Sequence, residues 1–257
     1  MLGPLESVRA WQWAVCGKHP AAKDYFHLGK KFPLTSAFSD WVEKGYGLVA
    51  SRKPPSGGLF SWRFWAAGYT GDYLACGIVR DSSDSIGRPY PLMILGTGPL
   101  KNWQARWHRM PDLCEKTWSR MESISARPFR DLRQLEDEIS RIRCPGLEGA
   151  GEGVPCKSSE CTPDGGVTVK SELLEGQGVS KEALAAMSNE KEILVSLNEG
   201  AVGDYYALVQ SWHDVLRGCL PEAPKTVFIG GSQVRSYLAL FRRPLMAQDF
   251  VKLWTLH

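Results

Sequence analysis

Apolar and polar positions alternate along the chain with two periods, one typical of β-strands and one typical of α-helices. Short apolar runs bounded by glycine, proline and polar turn residues predict strands. The turn at Gly71 and Asp72 separates the second and third of these runs, so we expect those two strands to form a hairpin. The predicted strands lie at 10–16, 59–67, 73–80, 90–96, 193–197, 226–230 and 236–242.

Apolar residues that recur at three- and four-residue spacing predict amphipathic helices between the strands. Residues 18–33 lack either period and predict a loop. Pro111 lies inside one helical stretch, where proline either starts a new helix or kinks the existing one. The predicted helices lie at 33–49, 102–123, 129–142, a short stretch from 180, 204–216 and 247–256.

This order of elements predicts an α/β protein. Strands and helices interleave, and some strands follow each other directly, so we expect a mixed, partly antiparallel sheet with helices on both faces, in three α/β/α layers. Residues 144–180 are rich in Gly, Pro and Ser and predict a flexible linker or insertion. The predicted organisation is an N-terminal α/β region at 1–143, this linker, and a C-terminal region at 181–257 that completes the same domain.

Composition and charge exclude several functional classes. The net charge is only +3 over 257 residues and no run of five basic residues occurs, which disfavours nucleic-acid binding. No apolar stretch approaches 18 residues, and the N-terminus lacks a signal-like apolar run, so we expect a cytoplasmic protein without direct membrane insertion.

Seven cysteines, an odd number, fit a reducing compartment. Ten tryptophans indicate a large aromatic core, with a partner groove as the alternative.

Catalytic, metal and cofactor motifs are not apparent. Cys156 and Cys161 have a spacing that two zinc ligands could use, but a full ligand set is missing nearby. No phosphate-binding loop and no nucleophile elbow occur. We therefore expect a non-enzymatic protein with no catalytic residue, metal or cofactor. One alternative is a small-molecule-binding domain, or a hydrolase that uses Cys76 or Cys114 with a distant histidine.

The most informative segment is the polar insert at 80–88, between two apolar runs. Asp84 precedes Gly87, which can adopt a positive φ, and Pro89 forces Arg88 out of the helical region. A loop of this kind presents Arg88 in a fixed direction. Asp24 and Asp84 are the carboxylates that could orient it.

Three segments of the chain resemble the TagF/ImpM family of type VI secretion accessory proteins. Residues 82–92, SSDSIGRPYPL, are similar to that family's Asp-x-x-Gly-Arg-x-aromatic-Pro-Leu segment. Residues 17–26, GKHPAAKDYF, resemble its opening Gly-Lys-x-Pro-x-x-Gly-Asp-Phe, with Lys23 in place of the glycine and Tyr25 in place of the phenylalanine. Residues 226–231 and 237–245 are similar to its closing strand pair, with Phe228 and Ile229 in place of tryptophans.

This resemblance implies a post-translational regulator, a repressor, that acts by protein–protein binding. The implied partner is a forkhead-associated scaffold protein of the secretion system, with components of the inner-membrane complex nearby. A structural subunit of the apparatus is a further alternative. The polar residues either recognise the partner or form a salt bridge that locks two loops, with Arg88 bidentate on one carboxylate. The candidate partner-binding or loop-locking residues are Asp24, Asp84, Gly87, Arg88 and Pro91.

Overall fold

One eight-stranded β-sheet forms the centre of the protein, in the order β2-β1-β5-β4-β3-β7-β8-β6. The structure, a computed structural model, describes residues 11–51, 59–146, 186–197 and 205–256. The strands are β1 Gln12–Gly17, β2 Phe26–Gly29, β3 Ser61–Ala67, β4 Tyr73–Arg80, β5 Leu92–Pro99, β6 Glu192–Ser196, β7 Thr226–Gly231 and β8 Ser236–Phe241. The seven pairs among these described strands are all antiparallel, so the sheet is more uniformly antiparallel than the partly antiparallel one expected.

The pairing of β3 joins distant parts of the chain. β3 forms the predicted hairpin with β4, in the register Ser61↔Arg80. Its other edge pairs with β7, so strands from both ends of the chain belong to one sheet. The predicted linker at 144–180 lies outside the described residues from position 147 onward, and so does the start of the short helix expected from 180.

Strand β2 lies within the predicted loop at 18–33, so that part of the loop prediction is wrong. Its four residues, FHLG, are too few to show a clear alternation of apolar and polar positions. They become a strand because β1 offers an open edge, and the pairing runs from Ala14↔Gly29 to Gly17↔Phe26.

Helices cover both faces of the sheet, which confirms the three-layer α/β class. Pro111 starts a new helix rather than kinking one, because a 3₁₀ helix ends at Arg109 and α2 follows it directly. Apolar residues of α1 and α5 pack on one face, and those of α2, α3 and α4 pack on the other. The helices are α1 Pro33–Ala50, α2 Met110–Ala126, α3 Leu132–Ser140, α4 Tyr205–Cys219 and α5 Ala247–Leu253, with the 3₁₀ helix at Gln104–Arg109.

Tryptophans form a large part of the core, as predicted from their number. Trp62, Trp65 and Trp107 are fully buried, and Trp118 is 1% exposed. Within the described ranges, no helix combines the length and the apolar character that crossing a bilayer requires.

Candidate functional site

Strand pairing brings the first and the central sequence motif together. β1 pairs with β5 in the register Gly17↔Leu92, so the segment after β1 lies against the loop that precedes β5. We call that loop, residues 81–91, the signature loop. Gly17 has φ +125°, and a Cβ there would lie 2.1 Å from the carbonyl oxygen of buried Pro91. Pro91 therefore contributes to the close contact between the two segments and is not exposed.

The signature loop closes on itself in a tight turn. Ser83 and Pro89 form a β-bridge. The Gly87 N–H donates to the Asp84 carbonyl over 2.9 Å, and the Asp84 N–H donates to the Arg88 carbonyl over 3.2 Å. Gly87 has φ +83°, and a Cβ at this position would meet no atom within 4 Å. The turn therefore requires glycine for its backbone conformation and not for space.

Asp84 is the buried anchor of this turn. One carboxylate oxygen, Oδ1, accepts the N–H groups of Ile86 at 3.2 Å and Arg88 at 2.9 Å. The other, Oδ2, accepts Arg88 Nε at 2.7 Å and lies 3.1 Å from Lys18 Nζ. Burial by itself raises the pKa of the Asp84 carboxyl, but the hydrogen bonds from Arg88 and Lys18 outweigh it and hold the pKa well below its usual range. The side chain is therefore ionised and wholly enclosed.

Arg88 bridges the two segments. Its Nη2 donates to the Lys23 carbonyl over 2.6 Å and lies 3.3 Å from Asp24 Oδ2, while its Nε binds Asp84. The expected bidentate pairing with a single carboxylate is wrong, because the guanidinium divides its donors between two carboxylates and a carbonyl. The Arg88 side chain remains 48% exposed and that of Asp24 is 71% exposed. The Tyr25 N–H and the charge of Arg88 lower the pKa of Asp24.

Two lysines of the first motif have roles that the sequence pattern did not indicate. Lys18 places a second positive charge next to the Asp84 carboxylate. Its position directly after β1 is the sequence feature that could have indicated this role. Lys23 binds Arg88 through its main-chain carbonyl. Because this contact uses only main-chain atoms of residue 23, it does not depend on which side chain stands there.

The outer side of the site combines apolar and charged groups. Ile86, at the tip of the turn, is 68% exposed, and Tyr25 is 46% exposed. The Tyr25 ring meets the Tyr90 ring edge-on, with centroids 5.5 Å apart. We call the exposed set Asp24, Tyr25, Ile86 and Arg88 the loop surface. Because backbone hydrogen bonds and the buried Asp84 fix its base, this surface is presented in one arrangement.

The two cysteines considered as nucleophiles lie in the core. Cys76 and Cys114 are both fully buried. Burial raises the pKa of the Cys76 thiol well above its ordinary value. A reactive cysteine needs an accessible thiol, so neither enclosed position resembles such a site. Among the described residues, no group of three His, Cys, Asp or Glu side chains is placed to hold a metal ion, and Cys156 and Cys161 lie outside those residues.

Comparison with known proteins gives one family and one similar fold. The sequence model of the TagF N-terminal domain, described as type VI secretion system-associated, matches residues 14–142, which include both segments of the site. The crystal structure of PA0076 from Pseudomonas aeruginosa PAO1 superposes with a TM-score of 0.51, over 95% of this chain and 94% of that one, at 14% identity. That likeness extends the shared fold beyond the matched domain. No curated protein matches the sequence.

Proposed function

The chain belongs to the TagF family of type VI secretion system-associated proteins, and on this premise we propose that it is a cytoplasmic, post-translational repressor that acts by protein–protein binding. The proposed partner is a forkhead-associated scaffold protein of the same secretion system, which would bring the repressor near the inner-membrane complex. In this proposal the protein carries out no chemistry of its own.

The loop surface is the observation that carries this proposal. Exposed apolar side chains next to a half-exposed arginine are typical of protein interfaces, where Arg and aromatic residues are enriched. Ile86 is 68% exposed although it sits at the tip of a turn that five backbone and side-chain hydrogen bonds involving Asp84 and Arg88 hold in place. The turn therefore holds a large apolar side chain in a fixed, solvent-exposed position.

Two roles can be separated within the site. The Asp84 side chain is fully enclosed and that of Lys18 is only 12% exposed, so this pair serves mainly the loop itself. Ile86 and the outer edge of Arg88 face solvent and are available for recognition. Arg88 contributes to both roles, because the same guanidinium holds Asp84 and points outward.

The test uses Ile86→Asp, with Tyr69→Asp as its matched control. Tyr69 is 59% exposed and lies in the turn between β3 and β4, at the opposite end of the sheet from the signature loop. Both variants place a carboxylate on an exposed turn, so neither should unfold the protein. The protein is co-purified with the scaffold and the other components encoded beside it, and the affinity of any captured component is measured.

We expect the scaffold to be recovered with the wild-type protein and with Tyr69→Asp, and the affinity to fall by about tenfold or more in Ile86→Asp. Equal affinity of all three proteins would remove the loop surface from recognition. Stable, stoichiometric presence in the assembled apparatus would instead support the structural-subunit alternative.

The cysteine-hydrolase alternative has no support in the described core. Its two candidate thiols, Cys76 and Cys114, are enclosed, and an enclosed thiol cannot attack a substrate without opening the fold.

A further inference from the structure

A pocket of about 590 Å³ lies beside the signature loop. Its walls come from α1, the end of α2, the two residues before β3, the signature loop and Trp254, directly after α5. This volume falls within the range of pockets that enclose small organic ligands, roughly 300–1,000 Å³. The pocket shares Asp81, Ser82, Ser83, Pro89 and Tyr90 with the loop, but it contains none of the residues of the loop surface.

Arg80, the last residue of β4, places a half-buried positive charge in this pocket. Its Nη1 donates to Ser125 Oγ over 3.1 Å, and it forms no ion pair with the described residues. A guanidinium has five N–H donors and is always charged, so most of its hydrogen-bonding capacity is unused here. By comparison, the half-buried Arg63 binds two carboxylates, those of Glu115 and Glu122.

Asp81 does not supply the missing anion. Its Oδ2 accepts the Phe60 N–H at 2.9 Å, and its Oδ1 accepts Trp254 Nε1 at 2.7 Å. These are neutral donors on the side of α5, whereas Arg80 binds α2 on the opposite side. Burial raises the pKa of Asp81, whereas these two hydrogen bonds and the charge of Arg80 lower it.

The remaining walls define the rest of the ligand. Phe60 and Trp254 face each other with ring centroids 6.2 Å apart, and Tyr46 and Tyr90 form a second aromatic pair at 5.0 Å. Aromatic walls favour flat apolar groups. Ser82 and Ser83 belong to the same lining, and a serine hydroxyl can donate to a charged oxygen.

We propose that this pocket binds a small organic anion, in which a carboxylate or phosphate group is attached to a flat apolar body. Arg80 binds the charged oxygens, and Ser125 positions the guanidinium. The body lies among Phe60, Trp254 and the two tyrosines. Arg88 and Ile86 do not line this pocket. The pocket proposal can therefore be tested independently of the scaffold-binding proposal.

The test follows the indole N–H of Trp254 by ¹H–¹⁵N NMR, assigned with Trp254→Phe, during titration with matched probes. Phenyl phosphate is compared with phenol, and 2-naphthoate with 2-naphthol, so each pair differs mainly in charge and the two anions distinguish phosphate from carboxylate. The variants are Arg80→Gln, Arg80→Lys and the control Arg133→Gln, at an exposed arginine on α3.

We expect at least one anion to shift the Trp254 signal and to bind more tightly than its neutral partner. Arg80→Gln should weaken that binding by about tenfold, Arg80→Lys by less, and Arg133→Gln should leave it unchanged. Equal binding of anion and neutral partner to the wild-type protein would overturn the proposal without any variant. It would also be overturned if none of the four probes shifted Trp254, or if a folded Arg80→Gln protein bound the anion as tightly as the wild type.

Discussion

Asp84 is the residue on which the geometry of the site depends. Its carboxylate accepts hydrogen bonds from its own turn and from Lys18, in a segment that β1 delivers. Removing one partner of such an enclosed network leaves the other charges without compensation, which costs more than the network contributes when complete. The same reasoning does not apply to Asp24, whose carboxylate is mostly in water.

Asp84→Asn tests this difference between the two carboxylates. The amide turns an N–H donor toward Arg88 or Lys18, so we expect the melting temperature to fall by several degrees. Asp24→Asn is the control and should change it by no more than about 2 °C, since exposed ion pairs contribute little. Differential scanning calorimetry at neutral pH measures both. Equal melting temperatures for the two variants would show that the signature loop does not need its buried charge.

The burial of His213 leads to a prediction of how the stability of the protein depends on pH. It is fully buried in α4, its Nδ1 lies 2.9 Å from the Val209 carbonyl, and burial lowers its pKa from 6.5 to about 4, with His108, Asp112 and Asp214 nearby. Between these values the unfolded chain binds a proton that the folded protein does not. Stability is therefore lost as the pH falls through this window, by an amount on the order of 3 kcal/mol.

Urea unfolding of the wild-type protein and of His213→Gln at a series of pH values isolates this contribution. Burial also lowers the pKa of His19 and of His27, so the relevant quantity is the difference between the two proteins. We expect the free energy of unfolding of His213→Gln to rise steadily relative to that of the wild type as the pH falls from 6.5 to 4. A difference that stays constant with pH would mean that His213 titrates equally in both states.

Close packing of α1 against α5 explains a glycine in the middle of a helix. A Cβ at buried Gly45 would lie 2.2 Å from the Cβ of Phe250, whereas a Cβ at exposed Gly47 would meet nothing within 4 Å. Both residues belong to α1, and neither has a positive φ. The two positions therefore share their helix propensity and differ in the space around them.

Gly45→Ala and Gly47→Ala form a matched pair. Alanine favours a helix over glycine by about 1 kcal/mol, so Gly47→Ala should stabilise the protein by up to that amount. At Gly45 the overlap with Phe250 should reverse the sign and destabilise by about 1–3 kcal/mol. Urea titration gives both free energies of unfolding. A stabilising Gly45→Ala would show that α5 can move away from α1 at little cost.

Elements with a strong local signal could be predicted from the sequence, and elements made by pairing could not. The β3–β4 hairpin follows from two apolar runs around Gly71 and Asp72, and Pro111 marks the start of α2. Strand β2 has no comparable signal, since its hydrogen bonds depend on β1. The sequence pattern also could not show whether strands pair in parallel or antiparallel, because the side-chain period of a strand is the same in both kinds of sheet.

The candidate site divides in the same way. Asp84, Gly87 and Arg88 are neighbours in sequence, so their turn could be predicted from residue types alone. Lys18 and the Lys23 carbonyl reach them only because β1 pairs with β5, a contact between distant segments. The exposure of Ile86 could not be predicted either, since an apolar residue in a turn is as compatible with burial as with display.

At the scale of the whole molecule, the fold places two distinct features at one end of the sheet. The loop surface faces outward, and the pocket around Arg80 lies beside its base, where Pro89 and Tyr90 of the signature loop line the pocket. Tyr46, from α1, donates a hydrogen bond to the Pro89 carbonyl over 3.1 Å and thus links the helical layer to the loop. A ligand in the pocket would contact the residues that support the loop surface.

The measurement that tests repression through the loop surface most directly is type VI secretion itself. Cells with an active system are made to produce the wild-type protein, Ile86→Asp or Tyr69→Asp at equal levels, and the secreted substrate in the medium is quantified. We predict that the wild-type protein and Tyr69→Asp lower secretion and that Ile86→Asp does not. Repression by Ile86→Asp as strong as that by the wild type, or no repression by any of the three, would contradict the account.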